Sequence, residues 1–463
     1  MNARGISHTR NLLARGDLSA VEHTTAVLAA AREQDTLGAY VTVAGEEALA
    51  AAAHADALIR RHGPNAWHSR PLLGVTVSVK DLLQTRDLPT TRGSLLPNDR
   101  PRQDAPAVAR LRAAGAIVVG KTTTSEYGWS ASTVSRVAPP TRNPYDPRLS
   151  AGGSSGGAAA AVAAGLCDAS LGTDGAGSIR IPASFCGVVG FKPSYGRIPY
   201  FPHGADRLAH QGPLTRTVAD AALMARTLQG PHPDDPDSGL GSLDAPRTGP
   251  VLRIGWIEYD GTGGEVRRVS EQARHALAAQ GHTIEDVEVR CERIYPALVD
   301  ITAAFEAAGA RPGDDQDADP GRLAVIRHGR TLSGADVIRA EEVRQSLRTT
   351  LRAVMDRYDI LAMAAVPVEP FEAGAIGPAW AADPRDLQWL AWAPASYPFN
   401  MTGQPALSLP AGLTRAGLPV GLQLVGPVGA DELVLSLAAR LETDLGLLPP
   451  PPLRTTHHPA TTH

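Results

Sequence analysis

Between Pro71 and Lys192 the hydrophobic period of the chain switches repeatedly, and this constrains the fold more than any other feature. In "PLLGVTVSVKDLL", Leu73, Val75, Val77 and Val79 alternate with small or polar residues, the period of a strand, and Lys80 stands at its end. "DAPAVARLRAAGAIVVGKT" then reads as a helix, a glycine stop and a buried strand ending at Lys121. A loop rich in proline follows, "APPTRNPYDPRLSAGGSSGG", and after it "GAAAAVAAGL", a helix of small residues able to lie close against a sheet. "DASLGTDGAGSIRIPASFCGVVGFKP" reads as an apolar strand, a polar glycine loop and a second strand. Such alternation predicts an α/β fold, a large mixed β-sheet flanked by helices on both faces.

The flanking segments fit one domain over residues 1–448. Residues 8–65 read as N-terminal helices, with a Ser19 cap signal before one and Gly63 ending another. Residues 66–230 hold the alternating core, including the amphipathic helix "RTVADAALMARTLQG". In residues 231–395, "PHPDDPDSGLGSLDAPRTGP" is a surface loop by composition and "VLRIGWI" a strand. Helical stretches, an acidic loop and a tryptophan-rich patch complete that region. In residues 396–448, "GQPALSLPAGL" and "GLPVGLQLVG" read as a strand pair and "ADELVLSLAARLE" as a last helix. Residues 449–463 read as a disordered tail.

Bulk composition narrows the function classes. With 43% hydrophobic and 20% charged residues the chain can bury a sizeable core, and a net charge of −4 gives no electrostatic case for nucleic acid. Cys167, Cys186 and Cys291 match neither a zinc pattern nor a disulfide framework, which suits a reducing cytoplasm. No run approaches the ~20 apolar residues of a bilayer span. The first residues lack an apolar core of signal-peptide length. We expect a cytoplasmic protein with no metal, no cofactor and no membrane or nucleic-acid partner; a homodimer is left open.

Among 44 basic residues only three are lysine, Lys80, Lys121 and Lys192. Arginine does not deprotonate in a protein, whereas a buried lysine can. A chain that otherwise writes arginine keeps lysine where a neutral amine has a use, so each of the three is a candidate.

"GGSSGG", residues 152–157, admits three readings. A phosphate cradle needs a lysine and a Ser/Thr directly after the glycines, and alanines follow instead. A nucleophile elbow is met formally at Ser154 and at Ser155, but an elbow follows a strand and this stretch follows a proline-rich loop. The third reading joins "SVKD", "GGSSGG" and "GTDGAGSIRIPASFCGVVGFKP". Together these resemble the amidase signature family over roughly 150 residues from Pro71 to Asp220, and "GKTTTSEYGW", "PTRNPYDP", "GPLTRTVADA" and "FNMTGQPALSLPAG" follow as further landmarks in family order.

The resemblance implies a Ser–cisSer–Lys triad of Ser178, Ser154 and Lys80. Ser178 would be the nucleophile, Ser154 the bridging hydroxyl after a cis peptide bond at Gly153, and Lys80 the terminal base. The chemistry is coherent. A serine hydroxyl is a poor nucleophile without a base, and lysine is a base only when burial lowers its pKa. The backbone N–H groups of Gly175, Ala176, Gly177 and Ser178 would form the oxyanion hole. Thr173, Asp174 and Arg180 are read as support, and Ser155 either caps the next helix or bonds the triad. The family usually has threonine and glycine where this chain has Gly175 and Ala176, so the acyl pocket is expected to be reshaped. Lys121 and Lys192 are read as structural.

The substrate implied is a small amide, split through an acyl-enzyme into carboxylate and amine or ammonia. Candidate pocket residues are Gly128, Trp129, Trp380, Trp389 and Trp392; the tryptophans after 379 fit core packing as well as a pocket. If they line it, the amide is apolar or aromatic. The alternatives are a glutaminase-type subunit of an amidotransferase complex and an acyl transferase with an amine acceptor.

Overall fold

The structure, a computed structural model, describes residues 5–452 apart from 34, 99, 202–206, 244–250 and 312. Most of the expected tail, 453–463, thus lies outside the described residues, as does the end of the loop over 231–250. Eleven strands are found among the described residues: β1 (Tyr40–Val43), β2 (Thr76–Lys80), β3 (Ile117–Thr122), β4 (Ala169–Asp174), β5 (Val189–Lys192), β6 (His210–Thr215), β7 (Arg253–Trp256), β8 (Thr283–Asp286), β9 (Ile360–Ala364), β10 (Ala406–Leu413) and β11 (Pro419–Val425). They form one sheet in the order β1-β3-β2-β4-β6-β5-β10-β11-β9-β7-β8. β2 is parallel to both β3 and β4, and β7 to β8 and β9, while the remaining pairs are antiparallel. The mixed sheet read from the sequence is present.

Helices cover both faces. Along β9 the side chains alternate between two cores. Ile360, Ala362 and Ala364 pack with residues of helices Val218–Leu228, Gly264–Ala279 and Asp431–Leu445. Leu361 and Met363 face Phe185, Trp392 and Phe399 on the other side. A third core joins the N-terminal helices to β2 and β3. The buried Asp168 carboxylate fastens it, accepting from Thr9 Oγ1 at 2.6 Å, Thr76 N at 2.9 Å and Thr76 Oγ1 at 2.8 Å, with His23 Nε2 at 2.8 Å. The cap signal at Ser19 is a reciprocal capping box: Glu22 N donates to Ser19 Oγ (3.1 Å) and Ser19 N to the Glu22 carboxylate (2.9 Å).

Of the elements that the sequence pattern does not announce, three have identifiable reasons. β1 is four half-buried residues at a sheet edge, too short to set a period. β6, "HQGPLT", carries a proline, which a central strand cannot donate from. Pro213 is accommodated because β5 pairs with β6 only at Leu214 and Thr215. Helix Arg180–Cys186 is buried on every side, so no polar face marks it, and it interrupts what reads as loop and strand.

Helix Gly156–Ala163 is wholly buried. A Cβ at Gly157 would lie 2.6 Å from Ala39 O and from Thr123 N, both backbone atoms that cannot yield cheaply. Small residues therefore set how near this helix, and Ser154 before it, comes to β3. Gly157→Ala is expected to lower the melting temperature by several degrees, the overpacking cost being of order 1–3 kcal/mol. Gly264→Ala, where a Cβ meets nothing within 4 Å, should leave it unchanged. Equal melting of both variants by calorimetry would contradict this packing.

Candidate active site

Lys80 ends β2, between β3 and β4, and is completely buried. Its Nζ lies 2.7 Å from Ser154 Oγ, 2.9 Å from Thr173 Oγ1 and 3.4 Å from Thr173 O. A neutral amine has two protons and one lone pair; the two oxygens of Thr173 can accept the protons, and the Ser154 hydroxyl can face the lone pair. Burial drives the Lys80 pKa well below that of a free lysine, and the nearby Asp174 carboxylate opposes this only in part. Among the described residues no carboxylate lies within ion-pair distance of it.

Ser154 follows a cis peptide bond at Gly153. Gly153 has no room for a side chain, since a Cβ would lie 2.4 Å from Ser132 C. Ser155 stands at the N-cap of helix Gly156–Ala163 but does not cap it. Its hydroxyl donates to Thr173 O at 3.0 Å, and its backbone N–H donates to Ser178 O at 3.1 Å. Ser155 thus ties the Ser154 loop to the Ser178 loop. Ser178 itself is 8% exposed and lines, with Ser154 and Thr173, a cavity of about 520 Å³.

The loop between β4 and helix Arg180–Cys186 is wound around one carboxylate. Asp174 Oδ1 accepts from Gly177 N at 2.6 Å and Oδ2 from Ile179 N at 3.1 Å. Arg180 grips both oxygens, at 2.9 and 3.0 Å, and both side chains are fully buried. Burial alone would raise the Asp174 pKa, but the Arg180 guanidinium, with Lys192 and Asn400, holds it far below the usual carboxylate range. The Gly177 N–H is therefore committed and is corrected out of the expected oxyanion hole. The N–H groups of Gly175, Ala176 and Ser178 have no protein acceptor among the described residues. Gly177 still matters, with φ at +124° and a Cβ that would lie 2.6 Å from Ser396.

Sequence reasoning did not single out Asn400, Gln423 or Ser396. Asn400 Nδ2 donates to Asp174 O and Oδ1 at 2.8 and 2.9 Å, and Arg180 donates to Asn400 Oδ1 at 2.6 Å. Arg180 also donates to Gln423 Oε1 (2.8 Å) and Ser396 O (2.9 Å), so the C-terminal strands brace the loop. "FNMTGQ" was the available signal for Asn400.

Of the expected pocket residues, Gly128, Trp129 and Trp389 line the cavity, with the two tryptophan rings 6.2 Å apart. Gly128 sits so close to Ser154 that a Cβ there would be 3.2 Å from Ser154 Oγ. Trp392 and Trp380 lie elsewhere. Trp392 is core, donating to Trp389 O at 2.9 Å and stacking on Phe185, while Trp380 is 60% exposed on the surface. Leu82, Leu298 and Phe305 add apolar wall, and Arg92, Arg311, Arg322 and Glu306 add charge.

Lys121 and Lys192 are also buried. Lys121 bonds Leu83 O (2.8 Å) and Thr90 Oγ1 (2.7 Å) near Asp81 (3.4 Å), and burial lowers its pKa to about 8. Lys192 donates to the carbonyls of Gln404 and Pro193. Neither lines the cavity. No metal-competent cluster of His, Cys, Asp or Glu and no helix long and apolar enough to cross a membrane occurs among the described residues.

This fold and site define an amidase signature enzyme. The family described as Amidase matches residues 22–435, and the chain belongs to that family. It is 38% identical to a glutamyl-tRNA(Gln) amidotransferase subunit from Anaeromyxobacter dehalogenans, covering 94% of this chain and 95% of that one. A bacterial aryl acylamidase structure of the amidase signature family superposes with a TM-score of 0.87 at 26% identity, covering 96% of each chain. The corresponding glutamyl-tRNA(Gln) amidotransferase subunit from Thermotoga maritima superposes with a TM-score of 0.73 at 30% identity, covering 83% of this chain and 87% of that one.

Arg180→Met leaves a buried carboxylate without its counter-charge. The denaturation midpoint should fall by an amount equivalent to about 3–5 kcal/mol. Because the folded Asp174 pKa is depressed, its contribution is complete above the ~3.9 of an unfolded aspartate and is lost as pH falls through the folded value. The deficit of the variant should therefore be largest near neutral pH and shrink in acid. An unshifted midpoint at neutral pH would refute the bracing role.

Proposed function

We propose that the chain hydrolyses small apolar or aromatic amides through an acyl-enzyme on Ser178. The observation that carries this reading is the fully buried Lys80 amine 2.7 Å from Ser154 Oγ, beside a cavity shared by Ser154 and Ser178. In the proposed reaction Ser178 Oγ attacks the amide carbonyl. Its proton passes to Ser154, whose own proton passes to the neutral Lys80 amine. The tetrahedral oxyanion takes hydrogen bonds from the free N–H groups of Gly175, Ala176 and Ser178. As the C–N bond breaks, the relay runs backwards and the proton leaves on the amine. Water, deprotonated by the same relay, then cleaves the ester, releasing carboxylate and restoring Ser178 Oγ–H.

Trp129, Trp389, Leu82 and Leu298 support an apolar or aromatic substituent on that amide. The close superposition on an aryl acylamidase points the same way. The second reading, a glutaminase-type subunit of a complex, is favoured by the 38% identity to an amidotransferase component. An amine in place of water as acyl acceptor would use the same site.

The test is made on the purified chain without partners. A serine-directed fluorophosphonate should label Ser178, and aryl amides should be turned over while glutamine is not. Activity should rise with pH as Lys80 loses its proton and level off at neutral to alkaline pH, since its pKa is depressed. Lys80→Arg keeps charge but not basicity, so kcat should drop ~10²–10⁴-fold with the fold intact by circular dichroism. Glutaminase activity confined to a reconstituted complex would favour the second reading instead, and labelling at Ser154 would refute the assigned order of the serines.

A further inference from the structure

Building on the hydrolase reading, we propose that Arg92 is a specificity residue, and that the preferred amide carries a carboxylate which the Arg92 guanidinium receives. The backbone of Arg92 is fixed to the catalytic strand and loop. Its N–H donates to Asp81 O at 3.1 Å, one residue beyond Lys80, and its carbonyl accepts from Tyr127 N at 2.8 Å, one residue before Gly128. With φ at +56° it sits in a left-handed turn, and its half-buried side chain lines the cavity that Ser154 and Ser178 open into.

The guanidinium is aimed but not neutralised. Nη1 donates to Asn98 Oδ1 at 2.9 Å. Asn98 is itself oriented, because its Nδ2 donates to Thr91 O and Leu96 O at 2.8 and 2.7 Å. The Tyr127 ring lies 5.9 Å away. Both neighbours are uncharged. Three other cations around the site do have carboxylates: Arg322 has Glu126 and Glu306, Lys121 has Asp81, and Arg180 has Asp174. Among the described residues no carboxylate lies within 4 Å of Arg92.

An arginine on open surface is satisfied by water. A half-buried one held by a neutral amide on a cavity wall keeps most of its five donors for a ligand, and its planar fork matches a carboxylate. With the apolar walls this defines a substrate of two parts, an apolar or aryl body and an anionic end. Glutamine fits less well. Its ammonium would need a free acid, and the lining carboxylate of Glu306 already holds Arg322 at 2.8 Å.

Two matched pairs test this. Glutaryl 4-nitroanilide is compared with 5-methylhexanoyl 4-nitroanilide, which replaces the carboxylate by an isopropyl group on the acyl side. N-acetyl-4-aminobenzoate is compared with N-acetyl-4-isopropylaniline on the amine side. The readout is the ratio of kcat/KM within each pair. In wild type at least one ratio should favour the anion by about tenfold or more. Arg92→Gln should bring that ratio close to one, and Arg92→Lys should retain part of it, with melting curves confirming folded variants. Calorimetric titration of Ser178→Ala and Ser178→Ala/Arg92→Gln with the same four compounds reads the preference in binding alone. If none of the amides is hydrolysed, the hydrolase reading fails while the binding ratio still decides the arginine. Ratios near one in both pairs, no binding of either anion at millimolar concentration, or a preference that survives Arg92→Gln would overturn the proposal.

Discussion

A lysine amine removed from water at the end of β2 is the constraint around which this molecule is arranged. Burial makes the ammonium form costly, and among the described residues no carboxylate within ion-pair distance repays the cost. The amine instead has three oxygens, two from Thr173 on the neighbouring strand and one from Ser154 on the small-residue loop. β2 runs parallel to β4, with Val79 opposite Leu171, so Lys80 at the end of β2 comes within hydrogen-bond reach of Thr173. The glycines and alanines after Ser154 let that loop approach the strand end. The other buried lysines show what the same residue does in different company. Lys121 keeps Asp81 nearby, and its pKa falls only to about 8. Lys192 donates to backbone carbonyls and lies away from the cavity.

The second electrostatic element balances the first. Asp174 stays ionised because Arg180 holds it at both oxygens, and the pair organises the loop that carries Ser178. One carboxylate thereby fixes the N–H groups of Gly177 and Ile179, while those of Gly175, Ala176 and Ser178 remain without protein acceptors among the described residues. A buried ion pair is not in itself a source of stability. Its use here is to hold the loop that carries Ser178, including Gly177 at φ +124°, in one arrangement.

Much of this was legible in the chain because the relevant signals are local. The alternation before Lys80, the stop at Gly63 and the small residues after Ser155 each depend on neighbours in sequence. Pairing partners far apart were not legible. Asn400 and Gln423 reach Arg180 across more than 200 residues; "FNMTGQ" marks Asn400 as a landmark but not as a partner of Arg180, and nothing local marks Gln423. The tryptophans show the limit most clearly. Trp389 and Trp392 are three residues apart, yet one lines the cavity and the other is core, because the irregular segment that carries them has no period to assign faces. Arg92 was invisible for another reason: it is one of 41 arginines, and its place on the cavity wall beside a neutral amide is a tertiary property that no local pattern marks.

The central claim is that Lys80 is a neutral amine at working pH, and the composition makes it directly measurable. With three lysines in the chain, lysine labelled at the Nζ and Cε positions gives three side-chain signals, assignable by single Lys→Arg substitutions. Titration followed by NMR should show the signal lost in Lys80→Arg changing far below the ~10.4 of a free lysine, already deprotonated at neutral pH. A Lys80 signal that stays protonated up to pH 10 would contradict the account, because a lysine that holds its proton cannot take one from Ser154.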